Sequence, residues 1–200
     1  MTNPASPADP RGEILAASLA LFSQRGYFQT SMQDVRKSSG VSIGAIYHYF
    51  KNKEEIALAL YHSLLDKMSR MVEENLAGHH LFHDRCYGIL EDLFQESCRA
   101  PAAMQFLLYA RHREFLPALQ PICSARPFEL MLIAAGEAMD RGEVRRMEPV
   151  VMVATIFGSP LRLILLHTEG LLEKKLEEYL PSTWSCIWPA LKNDTPVAEG

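Results

Sequence analysis

The sequence is poor in the features that mark secreted, membrane, catalytic and repeat proteins. Its four cysteines, Cys86, Cys98, Cys123 and Cys186, have no CxxC spacing. Scattered through apolar helical segments, they read as buried, reduced thiols rather than a disulfide framework. That favours a reducing compartment, so a cytoplasmic protein is expected. The opening MTNPASPADP has no apolar core, so it reads as neither signal peptide nor anchor; residues 1–10 are expected to form a disordered tail and 193–200 a C-terminal tail. No apolar run reaches about 18 residues, which predicts no membrane span. No nucleophile, base and orienting acid stand at motif spacing, and no glycine loop suits a phosphate, so neither an enzyme nor a cofactor is expected. No segment reads convincingly as a strand, and no internal repeat is present.

What is present is an ordinary globular composition. With 48% hydrophobic and 22% charged residues in 200, the chain can bury one sizeable core or carry a small module on a larger body. The net charge is −4, yet between Arg25 and Lys53 five basic residues (Arg25, Arg36, Lys37, Lys51, Lys53) face only Asp34. A positive module on an acidic body is the pattern of a local nucleic-acid footprint, although short windows also fluctuate by a few charges.

Helical periodicity runs through the whole chain. Ile14, Ala17 and Leu21 recur at helical spacing until Gly26 stops the first helix near Arg25. Thr30 with Gln33, or Ser31 with Asp34, opens a short second helix with Met32 and Val35 on its core side, and Gly40 ends it. Ser42 caps a third helix with Ile46 and Phe50 buried and Val41 plugging the turn. Asn52 with Glu55 caps a long fourth helix through Ile56, Leu60, Leu64, Met68 and Met71 to about Ala77. Further helices are expected at 81–99, 101–114, 125–141, 149–168 and 172–192, with a kink at Pro160 and a split at Pro181.

The stretch GVSIGAIYHYFKNKEE, from Gly40 to Glu55, is a poor isolated helix, because Gly44 alone costs about 1 kcal/mol against alanine. Two short helices joined by a glycine turn describe a helix-turn-helix, and a bare first turn lets the second helix approach the base edges of a DNA major groove. Helical spacing puts Gly44, Ala45, Tyr47 and His48 on one exposed face, with Ile43 at its boundary. Gly44 permits close approach, the Ala45 methyl can meet a thymine methyl, and His48 can donate to a base or phosphate. Tyr47, Lys51 and Lys53 suit phosphates, as do Thr30 or Ser31 and the amides that follow Ser42. Phe50 reads as core; Tyr49 reads equally as core or DNA contact.

The run ILAASLALFSQRGYFQTSMQDVRKSSGVSIGAIYHYFKNKEEIALALY, residues 14 to 61, closely resembles the N-terminal DNA-binding domain of the TetR/AcrR family of transcriptional regulators. Phe22, Gly26-Tyr27, Thr30-Ser31, Gly40-Val41-Ser42, Gly44, Tyr47 to Phe50 and Lys53-Glu54 carry the resemblance. Ile43 departs from it, standing where relatives often have a polar or basic residue. The resemblance implies an all-α homodimer that binds a palindromic operator in double-stranded DNA. It places a helix-turn-helix domain at 11–55 and a regulatory, ligand-binding and dimerisation domain at 56–192, about nine helices in all. It also places the dimer interface on the last two long helices, at Val153, Phe157, Leu161 and Leu165 and at Trp184 and Trp188. The 149–168 segment is apolar around much of its circumference, as a helix buried on two sides should be; the tryptophans suit either an interface or a closed monomer core.

An effector, small and largely apolar, is implied on the middle helices. The candidates are Met68, Met71, Leu90, Phe94, Met104, Leu107 and Met131, with Phe106 and Phe128 beside them and Tyr109 and Arg111 as polar members. Each apolar member reads more readily as core. Arg111, Arg113 and Arg162 require partners, either Asp92, Glu96 or Glu114 or an anionic head. His79, His80, His83 and Cys86 have a spacing that could chelate zinc, but histidines exposed at a loop are the commoner case and no metal is assigned. Two functions stand: a repressor released by its effector, and a DNA-binding architectural or assembly protein with a packed core and no ligand.

Overall fold

The computed structural model describes residues 9–119 and 124–193, so Cys123 and both expected tails, apart from Asp9, Pro10 and Asn193, lie outside it. Among the described residues the secondary structure is nine α-helices with short 3-10 turns and one isolated bridge, Val144 to Lys192. The helices are α1 Pro10–Arg25, α2 Met32–Ser39, α3 Ile43–Tyr49, α4 Lys53–Gly78, α5 Phe82–Arg99, α6 Pro101–Tyr109, α7 Arg126–Asp140, α8 Pro149–Thr168 and α9 Leu180–Leu191. This is the all-α class expected.

The chain forms two compact units. The first takes the residues through Leu64 together with Gln105–Leu119, and the second takes Leu65–Met104 with the remainder. In the first unit α1 packs on α2, and both touch α3. Ile14, Leu21, Phe22, Val35, Val41, Ile46, Phe50, Ile56 and Leu60 fill the space between them. In the second unit α8 packs on α7, α5 and α9. Glu143, in the turn between α7 and α8, accepts the backbone N–H of Phe82 at 2.6 Å and so supplies the N-terminal cap that α5 lacks from its own residues.

Three sequence expectations change. The helix expected at 101–114 ends at Tyr109, because the Ala110 N–H reaches back five residues to the Gln105 carbonyl and unwinds the last turn; His112–Glu114 is a 3-10 turn. The helix expected at 172–192 begins only at Leu180, after a 3-10 turn at Leu176–Tyr179. Pro181 occupies its first turn, where a missing N–H leaves no bond unmade. Finally, α8 is long and apolar enough to cross a membrane by length and composition, against the expectation that no run reaches that length. Arg162 is the one charge that interrupts the run.

A buried polar knot joins α4 to α5. Asn75 donates through Nδ2 to the Met71 carbonyl at 3.0 Å and to Asp92 Oδ2 at 2.6 Å. Its Oδ1 fills the space beside Gly88, where an added Cβ would stand 2.2 Å away. Because two hydrogen bonds hold that amide, Gly88→Ala is expected to cost about 1–3 kcal/mol, the usual range for overpacking. Urea unfolding of the variant measures it; unchanged stability would show that Asn75 can swing aside.

Candidate nucleic-acid interface

Local chemistry fixes the helix-turn-helix. Ser31 and Asp34 make a reciprocal capping box for α2: Ser31 Oγ accepts from the Asp34 N–H at 3.2 Å, and Asp34 Oδ2 accepts from the Ser31 N–H at 2.9 Å. The Ser31 hydroxyl, which donates to the same carboxylate at 2.5 Å, holds the Asp34 carboxyl below its ordinary range. Gly40, at φ +71, takes the left-handed turn between α2 and α3. Ser42 then caps α3 by accepting from the Ala45 N–H at 3.2 Å. The Asn52 side chain receives the Glu55 N–H at 2.8 Å at the start of α4.

These caps set the rotation of α3. Ile46 and Phe50 are buried, Gly44, Tyr47, His48 and Tyr49 are exposed, and Ile43 and Ala45 lie half-buried between the faces. Tyr47 and Tyr49 are large rings left open to solvent, at 50% and 42% exposure. A Cβ built on Gly44 would meet nothing within 4 Å. Nothing among the described residues therefore requires glycine there, and alanine would make a better helix by up to about 1 kcal/mol.

Two of the sequence candidates spend their polar groups inside. Lys53 donates through Nζ to the Tyr27 carbonyl at 2.8 Å and the Thr30 carbonyl at 2.9 Å, and lies 4.1 Å over the Tyr27 ring. Burial pulls its ammonium below the ordinary lysine range. Thr30 is buried and donates to the Gly26 carbonyl at 3.0 Å. Both bind together the turn between α1 and α2. Ser31, Ser42 and Lys51 are exposed.

Tyr27 is the hub that sequence reading missed. Its hydroxyl donates to Glu54 Oε1 at 2.8 Å. Burial first, and the carboxylate second, raise its phenol above the ordinary range, while the same hydrogen bond lowers Glu54. Its ring stacks on Phe115 at 4.1 Å between centroids. The Gly26-Tyr27 pair pointed to this position, but nothing local announced that Gln105–Leu119 would pack with it.

The same cluster holds His112, whose ring meets Tyr61 and Phe106 at 5.0 Å and Phe115 at 5.6 Å. Among the described residues its Nε2 is buried without a hydrogen-bond partner. Burial lowers the imidazole's pKa below 6.5. Between that lowered value and 6.5 the unfolded chain binds a proton that the folded one does not, so the stability this neutral ring contributes is full above 6.5 and is lost as pH falls. Denaturant melts from about pH 7 down to about pH 5 should show a smaller acid loss in His112→Phe than in the wild type; equal slopes would clear His112 of this role.

The remaining candidates are dispersed. Met68, Met71, Leu90, Phe94, Met104 and Met131 belong to the second unit, Leu107 and Arg111 to the first, and only the backbone of Tyr109 is described. Leu90, Phe94, Met104, Leu107 and Met131 are buried, while Met68 and Met71 are half-buried. Arg111 is exposed and pairs with Glu114 at 3.2 Å, one of the partners anticipated; Arg162 is exposed as well. Of the interface candidates, Val153 and Trp184 are buried within the chain itself, and Phe157, Leu161, Leu165 and Trp188 are half-buried. His83 accepts from the Trp184 indole at 2.7 Å and pairs through Nδ1 with Asp84 at 2.7 Å, so neither ring nitrogen is left for a metal.

This geometry coincides with what other proteins show. A sequence model of bacterial regulatory proteins of the tetR family matches residues 14–60. The HTH-type transcriptional repressor KstR2 of Mycolicibacterium smegmatis is 35% identical over 63 residues, 32% of this chain and 31% of that protein. The chain spans about a third of the length of the first curated relatives it matches. A TetR family transcription regulator from Marinobacter aquaeolei has the same fold, with a TM-score of 0.77 at 17% identity, covering 92% of this chain and 96% of that one. So does FadR of Bacillus subtilis, solved with stearoyl-CoA, with a TM-score of 0.77 at 19% identity over 88% and 96% of the two chains. Helix-turn-helix, family match and fold agree: residues 14–60 match the N-terminal domain of the tetR family of bacterial regulatory proteins, and the chain has the fold of solved TetR-family regulators.

Proposed function

We propose that this regulator binds a palindromic operator as a homodimer, each copy placing α3 in one of two successive major grooves, and that a small, largely apolar effector releases it. The observation that carries the DNA reading is Gly44: an exposed helical glycine that no contact among the described residues requires, beside half-buried Ala45 and exposed Tyr47 and His48. Gly44 and Ala45 read base edges, Tyr47, Tyr49, Lys51 and Ser31 serve phosphates, and the free amides that follow Ser42 add the partial positive charge of a helix start.

The dimer reading is supported by α8. Only 28% of its most apolar stretch is buried within one chain. The open side carries Val151, Ala154, Gly158, Leu161 and Leu165 at helical spacing, all exposed or half-buried. Water is a poor cover for such a stripe, and a second copy is a good one. This shifts the interface from Val153 and Trp184, which the monomer buries, to the opposite side of α8 and the exposed residues Ser185, Cys186 and Pro189 of α9.

The effector reading draws on methionine and phenylalanine in the second unit and on the stearoyl-CoA found in the Bacillus subtilis relative. Helix α4 has Lys53–Leu64 in the first unit and Leu65–Gly78 in the second, which makes it the element through which an effector near Met68 and Met71 acts. A coupling of about 1–3 kcal/mol would change DNA affinity by about 5- to 150-fold. Titrating the operator complex with stearoyl-CoA and with the free C18 acid tests this: release with a raised melting temperature of the free protein supports the reading. No release and no shift with either would favour the alternative, an architectural protein whose Leu90, Phe94 and Met131 core is simply packed.

A further inference from the structure

The first unit contains a cleft that the DNA reading does not use. It has a volume of about 280 Å³ and lies between the end of α1 with the turn after it, Phe22–Phe28, and the segment Gln105–Phe115. Its walls are aromatic. Phe22 faces Phe106 in a stacked arrangement at 6.1 Å, and Tyr27 stacks on Phe115 at 4.1 Å. Phe28 stands edge-on to Tyr27 at 5.3 Å and to Phe115 at 6.3 Å, yet remains 63% exposed. A protein interior close-packs such rings rather than leaving a hollow beside them, and a phenylalanine left open at the rim of an aromatic hollow is a surface to be covered. On the Gly26 side the hollow is open, for a Cβ built there would meet nothing within 4 Å.

Beside the rings, the lining side chains Ser23, Gln105, Arg111 and Glu114 are polar, and the two charged ones sit together. Arg111 and Glu114, 3.2 Å apart, both line the cleft. One cation beside one anion presents no net charge. A charged ligand head would satisfy one of them and oppose the other, whereas an uncharged edge with an acceptor next to a donor satisfies both: the acceptor takes an Arg111 N–H, and the donor gives to the Glu114 carboxylate. The combination of apolar ring walls with a small convergent polar set is what small-molecule sites are made of. We infer that this cleft binds a flat, uncharged aromatic ring system carrying a hydrogen-bond acceptor and a donor side by side on one edge. The site is separate from an effector site in the second unit, and the inference stands whether or not the first unit binds DNA.

The probe is 2-quinolinone, which has a carbonyl beside a ring N–H, titrated into the full-length protein by calorimetry or ligand-observed NMR. Saturable binding with a Kd near or below about 1 mM is expected of a fragment of this size. Ala110→Trp, which fills the cleft from a half-buried position, should abolish it with the melting temperature retained. Arg111→Ala and Glu114→Gln change exposed side chains and should each weaken it several-fold, while 1-methyl-2-quinolinone, lacking the donor, should bind the wild type as weakly as 2-quinolinone binds Glu114→Gln. Absence of saturable binding to the wild type would overturn the inference, as would undiminished binding to a folded Ala110→Trp. Tighter binding of 2-naphthoate or of 2-naphthylmethylammonium would overturn the uncharged class.

Discussion

Gly44→Leu is expected to abolish operator recognition while leaving the protein folded and no less stable. The position is helical, exposed and open, with nothing within 4 Å of an added Cβ, so leucine is expected to fit and to improve the helix by up to about 1 kcal/mol. Outside, the isobutyl group occupies the space that the α3 backbone needs to reach the base edges. Losing base readout reduces binding to its electrostatic remainder, a fall of about 10³-fold or more from the usual specific affinity. Tyr47→Ala, at a position proposed to meet a phosphate, should instead weaken specific and random DNA alike. The opposite signs of the two Gly44→Leu effects, on stability and on binding, are the diagnostic feature. A shift assay in which Gly44→Leu holds the operator at wild-type affinity would refute the close-approach argument.

The second large effect is expected at Gly158, in the middle of the open side of α8. It too is exposed and helical, and a Cβ there meets nothing within 4 Å of its own chain. Gly158→Glu should therefore fold as well as the wild type. If a second copy covers this side, the carboxylate is buried against its apolar counterpart, and the desolvation of two like charges disfavours pairing. Sedimentation should then show a monomer at concentrations where the wild type is a dimer. With the two α3 helices no longer tied together, the gain in avidity of about 10²- to 10⁴-fold disappears from operator binding. A Gly158→Glu protein that still sediments as a dimer would move the interface elsewhere.

These glycines show what a sequence can and cannot disclose. The caps at Ser31, Ser42 and Asn52, the left-handed Gly40 and the buried pair Ile46 and Phe50 depend on residues within four positions of one another, so local chemistry made them legible. The environment of Gly88 was not legible, because the atom that demands glycine there, Asn75 Oδ1, lies on another helix. Gly44 and Gly88 look alike in the sequence; only their surroundings separate them, open at the first and filled by Asn75 Oδ1 at the second. Thr30 and Lys53 illustrate the same limit. Their types and spacing fit phosphate contacts, but the turn between α1 and α2 presents three carbonyls, of Gly26, Tyr27 and Thr30, and the Thr30 hydroxyl and the Lys53 ammonium donate to them instead. The end of α6 at Tyr109 and the return of Gln105–Leu119 to the first unit follow from long-range packing of Phe106, His112 and Phe115, which no periodicity encodes.

The central claim is that two copies of α3 read two successive major grooves. Its most direct test is selection of binding sites from random duplex DNA, followed by mapping which guanine N7 positions in the selected site the protein protects from methylation. The account predicts an inverted repeat, protected in two major-groove patches whose centres lie about 34–36 Å apart, with protection lost in Gly44→Leu and affinity falling steeply with salt. Enrichment of no sequence, or a single protected patch without two-fold symmetry, would contradict it.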